Sequence, residues 1–208
     1  MAERQAREFP LFLLPTVAIP GELIPLHVFE ERYKTMIGEC IEAEREFGIV
    51  WLSDESLREV GCAARIERVL ERMDDGRMNV LVRGTRPFRV LERQSHLAYP
   101  AGVVDFVQDR DEEVDPELQE SAHKAYAELV QRATDRVLEE PELAEMTAYA
   151  MAATVDFGLD AKQGLLDMRS ENARLRLVTR LFRAAMKRLD LVERAHERAR
   201  SNGKIRFG

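Results

Sequence analysis

Cysteine is almost missing from this chain: Cys40 and Cys62 are its only two. They supply no disulfide framework, and a reducing compartment keeps such a pair apart. No apolar run approaches the roughly 20 residues that a membrane-spanning helix needs. The charged opening "MAERQAREF" has no apolar segment behind it, so no signal peptide is expected and the protein is expected to be cytoplasmic. Phosphate-cradling loops of the G-x-x-x-x-G-K-[ST] and G-x-G-x-x-G types are absent; the Gly203-Lys204 pair lacks the upstream glycine. The four histidines, His27, His96, His123 and His196, are scattered without a second ligand at metal spacing. Zinc requires three or four converging N or S ligands. Neither Ser53 nor Ser56 sits in a G-x-S-x-G elbow. Internal repeats and low-complexity tracts are missing too. These absences point away from nucleotide hydrolysis, metal chemistry and nucleophilic catalysis, and no cofactor is expected.

What is present is a globular composition, 45% hydrophobic and 33% charged, over 208 residues. That length accommodates one large domain or two small ones. The net charge of −7 argues against a general nucleic-acid binder, but it is unevenly spread. Residues 111–160 hold 14 acidic and 3 basic residues, whereas residues 169–208 hold 12 basic and 4 acidic. Two such blocks pair as helices with complementary rims; the alternative is a basic tail for RNA or an acidic partner.

The first half reads as β. Phe9 to Leu14 is an apolar run stopped by Pro15, Ile24 to Val28 is a second, and "GIVWL" (48–52) has the continuous apolarity of a buried strand. Val60, Cys62, Ala64 and Ile66 alternate with smaller or polar neighbours. Asp75-Gly76 then marks a hairpin, and Met78, Val80 and Val82 resume the alternation. Gly84 predicts a bulge or bend before Phe88 and Val90, and Ala101 to Val107 completes a small barrel or sandwich. One helix interrupts the strands, with Phe29, Tyr33, Met36, Ile37, Cys40 and Ile41 on one stripe and Glu30 and Glu31 in its first turn.

The second half reads as α. Asp115 caps and Pro116 opens a helix whose face carries Leu118, Ala122, Ala125, Leu129, Ala133 and Val137. Pro141 starts another, with Leu143, Met146 and Ala150 inward. Asp160 with Gln163 predicts a capping-box variant for a short helix through Leu166. Ser170 caps the longest helix, whose stripe is Val178, Leu181, Phe182, Ala185, Leu189 and Val192 and which frays into a mobile tail from Arg198. The composition shift near 107–115 divides the chain into 1–112 and 113–208.

The cysteines fall on apolar faces, as structural thiols do. Asp54/Glu55 and Asp74/Asp75 sit in turn-like segments, where carboxylates make local hydrogen bonds. The remaining candidate site residues are His27, Glu30, Arg32 and Tyr33 in "HVFEERY", and Arg83, Arg86 and Phe88 in "RGTRPFRV" with Arg89. His27 is a structural or a binding histidine. A buried Glu30 calls for a sheet arginine. The arginines either grip RNA beside Phe88 or pair with Glu30, Glu31 or Glu71.

"FPLFLLPTVAIPGELIPLHVFEERY" resembles the opening of the N-terminal, substrate-binding domain of Lon proteases at Phe9, Pro10, Leu11, Phe12, Leu14, Pro20, Gly21, Pro25, Leu26, Val28, Phe29, Glu30, Arg32 and Tyr33. "FGIVWL", "VGCAARI", "DGRMNVLVRGTRPFRV" and "AKQGLLD" with Arg174-Leu175 extend the resemblance over most of the chain. It implies an α+β fold: an N-terminal PUA-like β pseudo-barrel with one helix, then a C-terminal helical bundle. It also implies a non-catalytic role in binding unfolded polypeptide or a protein partner, with an adaptor role in protein quality control, and RNA binding as the alternative. The chain stops at Gly208 without the ATPase and Ser-Lys protease modules of Lon, so it resembles a stand-alone member.

Overall fold

Apolar alternation and turn residues produce six strands and six helices among the described residues of this computed structural model, which are 4–53 and 56–202, with side chains described through 195. The expectations for Asp54, Glu55, the His196 side chain and residues 203–208 lie outside the described residues; the backbone of residues 198–202 continues the last helix. The strands are β1 (Gln5–Leu14), β2 (Leu23–Val28), β3 (Phe47–Trp51), β4 (Val60–Arg72), β5 (Met78–Gln94) and β6 (Ala101–Phe106). Helix α1 (Glu31–Glu42) lies between β2 and β3, and α2 (Pro116–Thr134), α3 (Glu140–Ala144), α4 (Ala148–Ala152), α5 (Leu159–Asp167) and α6 (Glu171–Asn202) follow the strands.

All six strands form one sheet in the order β2-β5-β4-β3-β1-β6, and β5 also pairs with β6. The pairings of β5, β4, β3, β1 and β6 therefore close into a circuit, with β2 attached outside it along β5. The 17-residue length of β5 makes this closure. Its first half pairs with β2 and β4, and its second half, from Phe88 to Gln94, pairs with β6. The β4–β5 register shifts between Cys62 and Ala64, opposite Gly84 and Pro87, as expected of a strand that bends. Gly84 does not end the strand. Its backbone exchanges hydrogen bonds with Gly21 (2.8 Å) and Glu22 (2.9 Å), and a Cβ there would lie 2.2 Å from the Ile19 carbonyl oxygen. Only glycine lets the 19–22 loop come this close. The Asp75-Gly76 hairpin forms as its sequence predicts, with Gly76 at φ 81° donating to Met73 O (2.9 Å).

Phe9, Leu11, Val50, Ala63, Phe88, Val104 and Phe106 form one core cluster, with Phe9 edge-on to both Phe88 and Phe106. Tyr33, Met36, Ile37 and Cys40 bury the inner face of α1. Phe29, assigned to that stripe by its spacing, instead precedes the helix and is 59% exposed, because Glu30 takes the N-cap position.

The chain divides into two compact units, residues 1–112 with 149–171 and residues 113–148 with 172–208. Residues 149–171, from the helical second half of the chain, belong to the sheet-bearing unit. Two contacts of α5 account for this. Lys162 forms an ion pair with Glu22, both largely buried, and Gln163 Nε2 donates to the Val60 carbonyl (3.2 Å). Helix α5 starts after Gly158, so Asp160 lies in its first turn and does not cap it.

In the second unit Asp115 accepts from the Glu117 (3.0 Å) and Leu118 (3.4 Å) amides and caps α2 as expected. The helix stops at Asp135, which is left-handed at φ 57°, leaving Val137 outside it and 69% exposed. The helix expected to run from Pro141 through Ala150 is interrupted between α3 and α4. Tyr126 packs on Phe182 at 5.3 Å between ring centres. Arg132 reaches both Asp190 and Glu193, so these ion pairs join an arginine of the acidic block to carboxylates of the basic one. The apolar stripe of α6 loses its cover near the far end, where Leu191 and Val192 are exposed.

Candidate functional site

The residues singled out by sequence do not converge. His27, on the exposed face of β2, has Nδ1 2.7 Å from Asn79 Oδ1 and stacks on Phe29 at 5.8 Å. Asn79 Nδ2 donates to Glu71 (2.9 Å), so Oδ1 is the acceptor and the His27 Nδ1–H the donor. Glu30 pairs with Arg32 (2.8 Å), its neighbour two residues on, and not with an arginine of the sheet. Tyr33 is enclosed, packed on Phe12 at 4.1 Å, with its hydroxyl accepting from the Leu13 amide (3.4 Å). Burial pushes its phenol pKa up.

Arg83 pairs with Glu67 (3.1 Å) and reaches the Gly21 carbonyl (3.4 Å). The hydrogen bond from Arg83 holds the Glu67 carboxyl below its ordinary value. Arg86 pairs with Glu46 (2.9 Å) and lies 3.6 Å over the Phe106 ring, and Arg89 pairs with Glu59 (2.7 Å). The carboxylate partners are thus Glu67, Glu46 and Glu59, in place of the expected Glu30, Glu31 or Glu71. Phe88 is fully buried, so it shapes the core and presents no surface.

A hollow of about 440 Å³ lies elsewhere in the sheet unit, between Leu11 and Leu13 of β1, Leu57, Arg32 of α1 and the stretch from Arg93 of β5 through the β5–β6 loop to Ala101. Its surface is mostly apolar, as ligand grooves are. The loop is tied to α1: Tyr99 donates to Glu39 (2.5 Å) and accepts from Arg45 (2.7 Å), and Arg45 also pairs with Glu39 (2.9 Å). Burial, helped by the bond to Glu39, raises the Tyr99 pKa and keeps the hydroxyl protonated as a donor. Of the expected site residues only Arg32 lines this groove. Leu57, Arg93, Leu97 and Tyr99 escape sequence reasoning because they come from separate segments. The one local signal is an apolar "LAYP" (97–100) in a connection where polar turn residues are usual.

A second exposed apolar face surrounds His27 on the β2–β5–β4 arm, where Leu23 and Leu70 stand about half exposed near Pro25. Cys40 and Cys62 are free and buried, and burial raises both thiol pKa values. No group of three or more His, Cys, Asp or Glu side chains suited to a metal occurs among the described residues, nor does a helix long and apolar enough to cross a membrane.

Solved domains share this architecture. The crystal structure of a Lon N-terminal domain protein from Xanthomonas campestris superposes with a TM-score of 0.62 at 27% identity, covering 81% of this chain and 94% of that one. The N-terminal domain of a Mycobacterium avium complex Lon protease gives 0.63 at 20% identity, a likeness of fold. Residues 8–184 match the ATP-dependent protease La (LON) substrate-binding domain, and the chain belongs to that family. Among full-length relatives, the Lon protease of Anaeromyxobacter dehalogenans is 26% identical and Lon protease 2 of Myxococcus xanthus 25%, each over 80% of this chain. The chain spans only 22% of the length of these two relatives.

Proposed function

We propose that this chain is a non-catalytic module that binds unfolded polypeptide or exposed segments of a protein partner, built on a PUA-like pseudo-barrel with a C-terminal helical bundle. The observation that carries this reading is the apolar groove between β1, α1 and the β5–β6 loop, found in a member of a substrate-binding family. Arg32 borders the groove and His27 borders the apolar arm, while Tyr33 and Phe88 hold the underlying frame. A cytoplasmic adaptor that delivers polypeptides to a protease in protein quality control is the setting this reading favours. RNA binding is not favoured, because Arg83, Arg86 and Arg89 are each occupied by a carboxylate.

Fluorescence anisotropy of a labelled unfolded polypeptide, with single-stranded RNA in parallel at low and moderate salt, tests the reading. Saturable polypeptide binding that tolerates salt is expected. RNA binding that falls steeply with salt, with no polypeptide binding, would refute it.

A further inference from the structure

The groove is asymmetric in charge. Its most deeply buried lining residues are Leu11, Ala101 and Tyr99, with Leu13, Leu57 and Leu97 around them. Two guanidinium groups stand among these apolar groups. Arg32 is committed to Glu30 and to the face of Tyr33, 4.6 Å from the ring centre. Arg93 is exposed and has no carboxylate within ion-pair distance among the described residues. Elsewhere on β5 the arginines are neutralised: Arg83 by Glu67, Arg86 by Glu46 and Arg89 by Glu59. Among the described residues, Arg93 is therefore a cation without a carboxylate partner on an apolar hollow, in a chain whose net charge is −7.

Resting on the polypeptide-binding reading, we propose that this groove selects segments in which a large apolar side chain has an Asp or Glu close by, the apolar group filling the hollow and the side-chain carboxylate pairing with Arg93. The charges are complementary here, whereas an acidic stretch such as residues 111–160 repels such a segment. A rim pair of this kind contributes selectivity more than affinity, and salt weakens it.

The test uses the whole chain and four labelled peptides of one apolar sequence. Three are capped at both ends and differ at one position (Glu, Gln or Lys); the fourth is the Gln peptide with a free C-terminal carboxylate. The native protein is expected to bind the Glu peptide about threefold to fivefold more tightly than the Gln peptide at low salt. Arg93→Gln should abolish that preference, and Arg93→Glu should prefer the Lys peptide. Leu97→Ser should weaken binding of all four. Arg93 is exposed and has no carboxylate partner among the described residues, so its variants are expected to fold, which circular dichroism checks.

Equal binding of Glu and Gln peptides would overturn the charge selection while leaving apolar capture standing. Unchanged binding by Leu97→Ser would place the site elsewhere and overturn the proposal. If the free-carboxylate peptide matched the Glu peptide and lost affinity with Arg93→Gln, the chain terminus would be the recognised group, and side-chain selection would fall. Failure of every peptide to bind would overturn both this proposal and the polypeptide-binding reading beneath it.

Discussion

Glu30 stands at the N-cap of α1, where its side chain is 42% exposed. A carboxylate at the start of a packed helix invites a buried arginine, but its partner is Arg32 and both side chains are nearly half exposed. Glu30→Ala is therefore expected to lower stability by less than about 1 kcal/mol, the range of surface ion pairs, and a thermal melt reads this directly. The thiols go the other way. Cys62 is fully buried, Cys40 nearly so, and both pKa values are raised. Neither should react with a thiol reagent in the native protein, and both should react in denaturant. The linkage has a definite sign. A raised folded pKa means that the unfolded state loses its proton first. Stability from these thiols is thus complete below the unfolded value of about 8.5 and is lost as pH rises towards and through the folded one. Denaturant midpoints measured at neutral and at alkaline pH should fall in that direction.

At the scale of elements, the docking of the 19–22 loop makes the sharpest demands. Gly84→Ala would drive a Cβ against the Ile19 carbonyl, and a loss of about 3 kcal/mol is expected from the displaced backbone. An unchanged urea midpoint would contradict the docking. Lys162→Met would leave Glu22 charged and buried without its partner, at a cost on the order of 3 kcal/mol. The same scale shows what the sequence could disclose. Strands β4 and β5 and their turn were legible because alternation and Asp-Gly are local signals. Strand β1 starts at Gln5 and not at Phe9, since its first residues pair with Val104 and Asp105 of β6, across a bulge where Glu8 turns left-handed. No local pattern records a partner some hundred residues away. The groove was hidden for the same reason: only the closed circuit of strands brings Leu13, Leu57 and Leu97 to one hollow.

The whole molecule is interleaved. Its sheet-bearing unit takes residues 1–112 and then residues 149–171, so a fragment ending at 112 lacks both the Lys162–Glu22 pair and the Gln163–Val60 hydrogen bond. Such a fragment is expected to unfold at lower denaturant and less cooperatively than the whole chain, by near-ultraviolet circular dichroism. Equal midpoints would mean that α5 contributes little to the sheet.

The same interleaving sets an order on synthesis. A ribosome delivers the amino end first, at roughly 5–20 residues per second. The sheet can pair its strands once β6 has emerged, but the helix that braces it is made only after all of α2. For several seconds the nascent sheet stands unbraced, with Glu22 lacking its lysine, while the first helix of the other unit has already been made. Anything that slows translation between residues 112 and 171 lengthens that exposure, so this stretch of the message is where codon choice would bear most on the yield of folded protein.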